Sequence, residues 1–130
     1  MDGFEPVITM SFYDDRIHIW KQTIEYMNKP RYMKLYVDEK HKWFFIQVTE
    51  KKDSNTFKIY YTKENVLFGR CHIMAKKLMK YLASVIGVPY PSDSLKFQGR
   101  LLEDDRTLYF DLKKYEVIPY SISQKEKKDA

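Results

Sequence analysis

The sequence predicts a β-rich α+β fold in which one β-β-α-β-β unit occurs twice. Most of the chain consists of short runs that alternate apolar and polar residues, which is typical of half-buried strands. Two other stretches place apolar residues at helical spacing. In addition, RIHI at 16–19 returns as RCHI at 70–73, and the same order of predicted elements surrounds each copy. The recurrence indicates an internal duplication.

The first unit is predicted over residues 6–50. PVITMSFY and RIHI are two strands joined by the acidic turn YDDR. WKQTIEYMN places Trp20, Ile24 and Met27 on one side of a short helix, which ends at Pro30 because proline disfavours helical geometry in the residue before it. RYMKLYV and KWFFIQVTE then form a hairpin around the polar turn DEKH. The unit has the order β-β-α-β-β.

The second unit is predicted over residues 56–118, after the polar linker KKDSN. TFKIYYT and RCHI are its first strands, while SLKFQGRLL and RTLYFDLKKYEVI close it as a hairpin around the acidic turn EDD. Between them, MAKKLMKYLASVIG has one apolar helical stripe, and Gly87 is suited to end that helix. The stripe consists of Ala75, Leu78, Met79, Leu82, Val85 and Ile86.

We expect the two units to form a single domain over residues 1–118, because a unit of about 50 residues is too small to bury its apolar faces alone. The polar, charged segment 119–130 is predicted to be a disordered tail. No run of 18 apolar residues occurs, and the first fifteen residues carry acidic charges where a signal peptide needs basic ones. The single cysteine, Cys71, agrees with a reducing compartment. The protein is therefore predicted to be cytoplasmic, with no membrane partner.

The positive charge of the chain is concentrated in its second half. The formal net charge is +5. Residues 1–50 contain seven basic and eight acidic side chains, whereas residues 51–124 contain thirteen and eight. This distribution fits a surface that binds a polyanion, and it equally fits a solvated lysine-rich face that maintains solubility.

An arginine and a histidine occupy equivalent places in the two units. With an offset of 54 residues, Arg16 and His18 correspond to Arg70 and His72. Because successive residues of a strand point to opposite faces, both pairs are predicted on the outward face. Two such pairs related by a pseudo-twofold axis suit two half-sites on duplex DNA. The planar fork of arginine can bond a phosphate or a guanine edge through two hydrogen bonds.

Each of these basic groups also has an alternative interpretation. The two arginines could form surface salt bridges with Asp14, Asp15 or Glu64 instead of contacting DNA. Lys76 and Lys77 lie on the polar face of the second predicted helix, where they are either solvated or in contact with phosphate groups.

The segment GRCHIMAKKLMKYL resembles the Gly-Arg-apolar-x-Ile-Pro motif and following short helix of AbrB-like (SpoVT/AbrB, MazE, MraZ) domains. The resemblance covers both units and implies a swapped-hairpin barrel with two short helices, in which the fused units replace a homodimer. Members of the family are commonly DNA-binding transcriptional regulators or antitoxins. Arg16 and Arg70 align with the family arginine that helps to contact DNA. Asp15 stands at the family glycine in the first unit, and Trp20 and Met74 replace the family proline.

The sequence contains no pattern typical of catalysis or metal binding. Cys71 is predicted to point away from His72 on an extended strand, and no second close pair of zinc ligands follows. The Asp-Asp pairs at 14–15 and 104–105 fall in predicted turns, where aspartate is favoured for its local backbone hydrogen bonds. Phosphate-binding loops and nucleophile motifs are absent from the sequence. We therefore expect no catalytic residues, no metal and no cofactor, and a protein that is not an enzyme.

The function that the sequence predicts is binding of double-stranded DNA, by a transcriptional regulator or an antitoxin-like protein. One alternative is a protein-binding module, whose sign would be an exposed apolar patch with no basic face. Another is a binder of single-stranded nucleic acid or RNA, in which some of the eleven tyrosines and Trp43 stack on bases. Its sign would be solvent-exposed tyrosines lining a basic groove. Strand aromatics such as those of WFFIQV are instead expected to fill the barrel.

Overall fold

The structure, a computed structural model, describes residues 5–61, 70–104 and 106–119, with the backbone alone for 70–74. Ten strands and two helices lie within these ranges. The strands are β1 Val7–Ser11, β2 Arg16–Trp20, β3 Tyr32–Asp38, β4 Trp43–Thr49, β5 Phe57–Lys58, β6 Arg70–Met74, β7 Ser94–Gln98, β8 Arg100–Leu101, β9 Thr107–Asp111 and β10 Glu116–Ile118. The helices are α1 Lys21–Tyr26 and α2 Lys76–Ile86. The predicted β-rich α+β class is confirmed.

The strands form two antiparallel sheets of five strands each. Sheet I has the order β10-β7-β1-β2-β6, and sheet II has the order β5-β3-β4-β9-β8. No ladder between described residues joins an edge of one sheet to an edge of the other. The described strands therefore form two open sheets, and not the closed barrel that the family resemblance implies.

One cluster of buried side chains joins the two sheets and α2. The members from sheet I are Ile8, Met10, Ile17, Ile19, Leu95 and Phe97; those from sheet II are Met33, Phe44, Ile46, Leu108 and Phe110; and those from α2 are Met79, Leu82, Ala83 and Ile86. Each strand contributes alternate residues, as its period of two requires. A fully buried aliphatic or aromatic side chain contributes about 1.5–3 kcal/mol, so this shared core holds the sheets together. The predicted inward position of Ile17 and Ile19 is confirmed.

Strands from the two halves of the chain pair with each other. β1, near the start of the chain, pairs with β7 through Thr9 and Lys96. β5 in turn pairs with β3 through Phe57 and Met33. β2 and β6, which carry RIHI and RCHI, also pair directly. Each sheet is therefore assembled from both halves of the sequence.

The two helices end as their sequences suggest. After α1, Asn28 and Lys29 both have positive φ angles, so the chain turns away before Pro30. α2 ends at Gly87, whose φ of 93° lies in the left-handed region and whose N–H donates to the Ala83 carbonyl at 2.8 Å. The predicted role of this glycine is confirmed, because a residue with a Cβ is strained in that conformation.

The two segments of the predicted closing hairpin pair as predicted, β7 with β10 and β8 with β9, but the hairpin is divided between the two sheets. SLKFQGRLL is divided at Gly99 into β7 of sheet I and β8 of sheet II, and RTLYFDLKKYEVI is likewise divided into β9 of sheet II and β10 of sheet I. A Cβ on Gly99 would lie 2.3 Å from the Tyr109 carbonyl oxygen and 2.5 Å from the Phe110 ring. The chain can therefore cross between sheets here only because glycine permits this close approach.

Parts of three predictions lie outside the described residues. These are the predicted connection 63–69, which includes Glu64, the aspartate at 105, and the tail from residue 120 onward. Within the described ranges, neither helix has the length and the apolar character that a transmembrane span requires.

Candidate functional site

The ladder between β2 and β6 has a symmetric register. His18 lies opposite His72 at its centre, with Arg16 opposite Met74 at one end and Trp20 opposite Arg70 at the other. Replacing each residue by its counterpart 54 positions away converts the pair Arg16–Met74 into Arg70–Trp20 and leaves the central pair His18–His72 unchanged. The two copies of the motif are thus related as two strands around a twofold axis would be. β2 also pairs with β1, and β6 is at the edge of sheet I, so β2 and β6 are the last two strands of this five-stranded sheet. We call this pair of strands the ribbon.

Arg16 is half-buried on this ribbon, and the salt bridges considered between it and Asp14 or Asp15 are not formed. No ion pair within the described part of the chain involves Arg16, and its buried Nε atom has no hydrogen-bond partner there. Asp14 accepts a hydrogen bond from the Ser11 hydroxyl at 2.9 Å, and Asp15 accepts one from the Tyr90 hydroxyl. The second bond raises the pKa of Tyr90 above its usual value.

The first turn of α2 adds two lysines beside Arg16. The N–H of Ala75 donates to the Asp15 carbonyl at 3.1 Å, which ties the start of the helix to the residue before Arg16. Lys76 and Lys77 are exposed, and neither takes part in an ion pair with another described residue. The structure therefore brings three of the six predicted site residues to one end of the ribbon.

A row of polar residues crosses the outer face of sheet I through His18. Glu116, Lys96, Thr9 and His18 are successive register partners on β10, β7, β1 and β2, and His72 follows on β6. The Lys96 ammonium lies 3.8 Å from the Glu116 carboxylate. His18 is half-buried within this row. The predicted outward position of Arg16 and His18, opposite the buried isoleucines, is confirmed.

Trp20 belongs to the same face, a placement that the sequence interpretation missed. Its indole N–H donates to the Thr9 hydroxyl at 2.9 Å, and the Lys96 ammonium lies 4.7 Å from its ring centroid. The helical spacing of WKQTIEYMN predicts this residue on the following helix, whereas it continues the alternation of RIHI by one position. That alternation was the available signal. The backbone of Arg70 lies opposite Trp20, and the predicted contacts of the Arg70 and His72 side chains stay predictions.

The outer face of sheet II is different, because aromatic side chains dominate it. Arg100, Tyr109, Phe45 and Tyr36 are successive register partners across β8, β9, β4 and β3. The Trp43 ring lies beside this row, with its centroid 5.3 Å from that of Tyr109. None of these rings belongs to the buried core. We predicted that the aromatics of WFFIQV would fill the interior, and this holds for Phe44 alone among them.

Carboxylates on sheet II are held by their neighbours. Asp38 accepts a hydrogen bond from the backbone N–H of His41, and its other carboxylate oxygen is hydrogen-bonded to the His41 ring. These two bonds lower the pKa of Asp38. Asp111 lies 3.1 Å from the Lys113 ammonium. Burial raises the pKa of Asp111, but bonds from the Lys113 backbone and side chain outweigh it, so the net shift is downward. Both carboxylates are therefore ionised and already engaged at neutral pH.

The described residues offer no obvious centre for metal chemistry. Within 5–61, 70–104 and 106–119, no three histidine, cysteine, aspartate or glutamate residues are grouped as a metal site would require. Comparison with known protein families, with curated proteins and with solved structures finds no match to this chain. The geometry of the two sheet faces therefore carries the functional inference.

Proposed function

We propose that this chain is a cytoplasmic protein that binds double-stranded DNA through the β2–β6 ribbon and the start of α2, as a regulator of transcription or an antitoxin-like protein would. The contacting residues in this proposal are Arg16, His18, Arg70, His72, Lys76 and Lys77. The chain acts as a binding protein and not as an enzyme.

The symmetric register of the ribbon is the observation that carries this proposal. Duplex DNA has local twofold symmetry, and its major groove admits a two-stranded antiparallel ribbon. In the β2–β6 ladder, Arg16 and Arg70 are equivalent by the 54-residue offset, and His18 lies opposite His72 at the centre. A ribbon of this kind can offer equivalent residues to two half-sites.

The exchange of strands supports a duplicated fold of the swapped-hairpin type. β1 of the first unit pairs with β7 of the second, and β5 of the second unit pairs with β3 of the first. Two copies that interlace about a pseudo-twofold axis would produce this reciprocal pairing. In our proposal, the two predicted units, 6–50 and 56–118, are therefore copies of one ancestral β-β-α-β-β unit.

The charges near the ribbon support contact with phosphate. Arg16, Lys76 and Lys77 lie close in the fold, and none is neutralised by an ion pair among the described residues. Lys80 is on the same helix, with its ammonium 5.6 Å from the Tyr90 ring centroid. Unpaired cations at one end of the ribbon can position a phosphate there.

Fluorescence anisotropy with labelled duplex DNA tests this function. Arg16→Ala and Arg70→Ala should each weaken binding by roughly 5- to 150-fold if the lost contact is a bidentate one to a base. Arg31→Ala is the matched control, because Arg31 is exposed, pairs with Glu50 and lies away from the ribbon. It removes the same charge and should leave affinity nearly unchanged. Thermal melts of each variant establish that the fold is intact.

The salt dependence gives a second measurement. Affinity for the duplex should fall steeply with added salt, with a slope of about −0.9 for each phosphate contact. Replacement of Lys76 and Lys77 by glutamine should reduce this slope and weaken all duplexes alike. If no duplex binds at low salt, or if both ribbon arginines can be removed without effect in folded protein, the proposed function is wrong.

A further inference from the structure

The outer face of sheet II presents a second surface that the proposed function does not use. Its strands direct five aromatic residues away from the core, and these are Tyr32, Tyr36, Trp43, Phe45 and Tyr109. Tyr36 is 50% exposed and the other four are half-buried. Trp43 and Phe45 pack against Tyr109, while Tyr32 lies further along β3, beyond Lys34. A sheet face turned away from the core is ordinarily polar, because alternation places apolar residues inward. This face is therefore an exception within the molecule.

Four of these rings, all but Tyr32, lie side by side and form the aromatic layer of sheet II. Tyr36, Phe45 and Tyr109 lie in one register row on three adjacent strands. The centroid of Tyr109 is 6.4 Å from that of Phe45 and 5.3 Å from that of Trp43, with the planes tilted by 33° and 47°. Adjacent strands are separated by about 4.8 Å, so such a row offers ring surface along a path that crosses the sheet.

Cations are placed at both edges of this aromatic layer. Arg100 on edge strand β8 is the register partner of Tyr109, and Lys58 on the opposite edge strand β5 is the partner of Tyr32. Neither cation forms an ion pair with another described residue. The two outward carboxylates, Asp38 and Asp111, are already engaged by His41 and by Lys113. Asp38 keeps its negative charge unneutralised unless His41 is protonated, whereas the charges without a described ion-pair partner on the two edge strands, Lys58 and Arg100, are positive.

We propose that the outer face of sheet II binds single-stranded nucleic acid, with bases stacked on Tyr36, Phe45 and Tyr109 and phosphates near Arg100 and Lys58. Every base has a flat π face, so a row of rings accepts bases with little regard to sequence. The flanking cations favour a polyanion over a neutral ligand or an aliphatic protein surface. Gln47 is the next residue after Phe45 on the same face of β4, and its amide can donate and accept hydrogen bonds at a base edge.

Labelled single-stranded oligonucleotides test this site, one of RNA and one of DNA with the same sequence. Tyr36→Ala should weaken binding of whichever oligonucleotide binds by roughly 5- to 150-fold, which is the range for loss of one base–aromatic stack. Tyr36→Phe keeps the ring and should bind like the parent protein. Tyr13→Ala is the matched control, because Tyr13 is 47% exposed and lies in the turn between β1 and β2 of sheet I.

Two further measurements separate stacking from charge and from misfolding. The fluorescence of Trp43, isolated in a Trp20→Phe background, should be quenched when the oligonucleotide binds, because bases would cover the adjoining rings. Arg100→Gln should lower the salt slope for single strands by about 0.7, with the rings intact. Thermal melts of each variant confirm that it is folded.

The two nucleic-acid proposals fail separately. Tyr36→Ala should leave duplex binding unchanged, and Arg16→Ala should leave single-strand binding unchanged, since the residues lie on different sheets. If neither oligonucleotide binds at low salt, or if Tyr36→Ala binds like the parent, the assignment of sheet II is overturned while the ribbon is unaffected. Sedimentation that shows a dimer dissociated by Tyr36→Ala would overturn it as well, by assigning the face to a second copy of the chain.

Discussion

The outer faces of the two sheets have the same backbone geometry but different chemistry. On sheet I, the outward row across four strands is Glu116, Lys96, Thr9 and His18, and all four side chains are polar. On sheet II, the equivalent row has three aromatic rings with an arginine at its end. Both sheets have their other face in one core. The composition of the outward positions, and not the fold, therefore distinguishes what each sheet can bind.

The difference also concerns how each face obtains its charge. The cations at the end of the sheet I ribbon, Arg16 and Lys76 among them, are free of ion pairs with described residues. On sheet II, Lys34 and Lys113 are held by aspartates, and the cations without such partners lie at the sheet edges. Positive charge is thus concentrated beside the ribbon of sheet I, which suits contact with phosphate groups. On sheet II it lies at the edges, which suits stacking of bases on the rings between them.

The largest expected effect tests whether the two sheets depend on one core. Phe97 of sheet I and Phe110 of sheet II are both fully buried in the same cluster. Phe97→Ala and Phe110→Ala should each lower the free energy of unfolding by about 3–5 kcal/mol, because each leaves a cavity in a packed interior. Chemical denaturation followed by circular dichroism and by tryptophan fluorescence should give coincident transitions.

Trp20 and Trp43 make that measurement sensitive to the two sheets, since one ring lies on each. If Phe97→Ala melted the environment of Trp20 while that of Trp43 stayed native, the sheets would be separate units, and the comparison between two faces of one domain would not hold.

A smaller effect is expected at the corner where the chain passes from sheet I to sheet II. Gly99→Ala should cost about 1–3 kcal/mol, because the new methyl group would press on the Tyr109 carbonyl and the Phe110 ring. Gly87→Ala is an instructive control, since its Cβ would meet nothing within 4 Å and its cost comes only from the positive φ. Equal stability of Gly99→Ala and the parent in urea titrations would show that the corner does not require close approach.

Sequence patterns predicted the strands and the helix ends better than the assignment of strands to sheets. Alternation fixed which residues of RIHI are buried, and Gly87 was recognised because the left-handed conformation has a strong residue preference. The division of SLKFQGRLL at Gly99 was not foreseen, because a strand that changes sheets keeps its alternation and its hydrophobicity. Only the close approach of Gly99 to Tyr109 and Phe110 reveals the corner, and that contact exists only once the hairpin has folded.

The candidate surfaces show the same limit. The outward position of Arg16 and His18 followed from strand period alone. The aromatic layer of sheet II did not, because period two states that Trp43 and Phe45 share a face but not which face is inward. In WFFIQV, aromatic residues lie on both faces of the strand. The burial of Phe44 therefore depends on the strands that pair with β4, which the sequence pattern does not give.

The turn between β8 and β9 gives a pH-dependent prediction for sheet II. Hydrogen bonds from the Arg106 N–H, at 2.9 Å, and from the Thr107 hydroxyl, at 2.7 Å, lower the pKa of Asp104. Because the folded pKa lies below the unfolded value, the stabilisation is present above the unfolded pKa and is lost as the pH falls through the folded pKa. Asp104→Asn should cost about 1 kcal/mol at pH 7, as a loss of charge-assisted hydrogen bonds would.

The stability of Asp104→Asn and of the parent should converge in acid, which thermal melts between pH 7 and pH 2 would show. A difference that persists unchanged to low pH would mean that the carboxylate charge is not the cause. Duplex binding should be the same in both proteins at pH 7, because this turn is on sheet II and the ribbon is on sheet I.

The smallest effect on stability is expected for the pair between Lys34 and Asp53, which nonetheless tests the chemistry of sheet II most directly. Their charged atoms lie 3.1 Å apart. The bond to Asp53 raises the pKa of Lys34, while the Asn55 backbone N–H and then Lys34 lower the pKa of Asp53. The pair therefore stabilises the fold at pH values between the pKa of Asp53 and the pKa of Lys34. That contribution is lost as the pH falls through the pKa of Asp53 or rises through that of Lys34.

Water and salt screen an exposed pair of this kind, so Asp53→Asn should change the melting temperature little. The substitution also releases the Lys34 ammonium beside the Tyr36 ring, where it can meet a phosphate. Single-strand affinity should consequently rise, and the salt slope should steepen by about 0.7 for the one added contact. Lys34→Gln/Asp53→Asn, which lacks both charges, is the control and should not gain affinity. Since the ribbon is on the other sheet, duplex affinity should respond less than single-strand affinity. A larger gain for the duplex would mean that the aromatic face is not the single-strand site, and that the two sheets do not differ in the way their outward residues indicate.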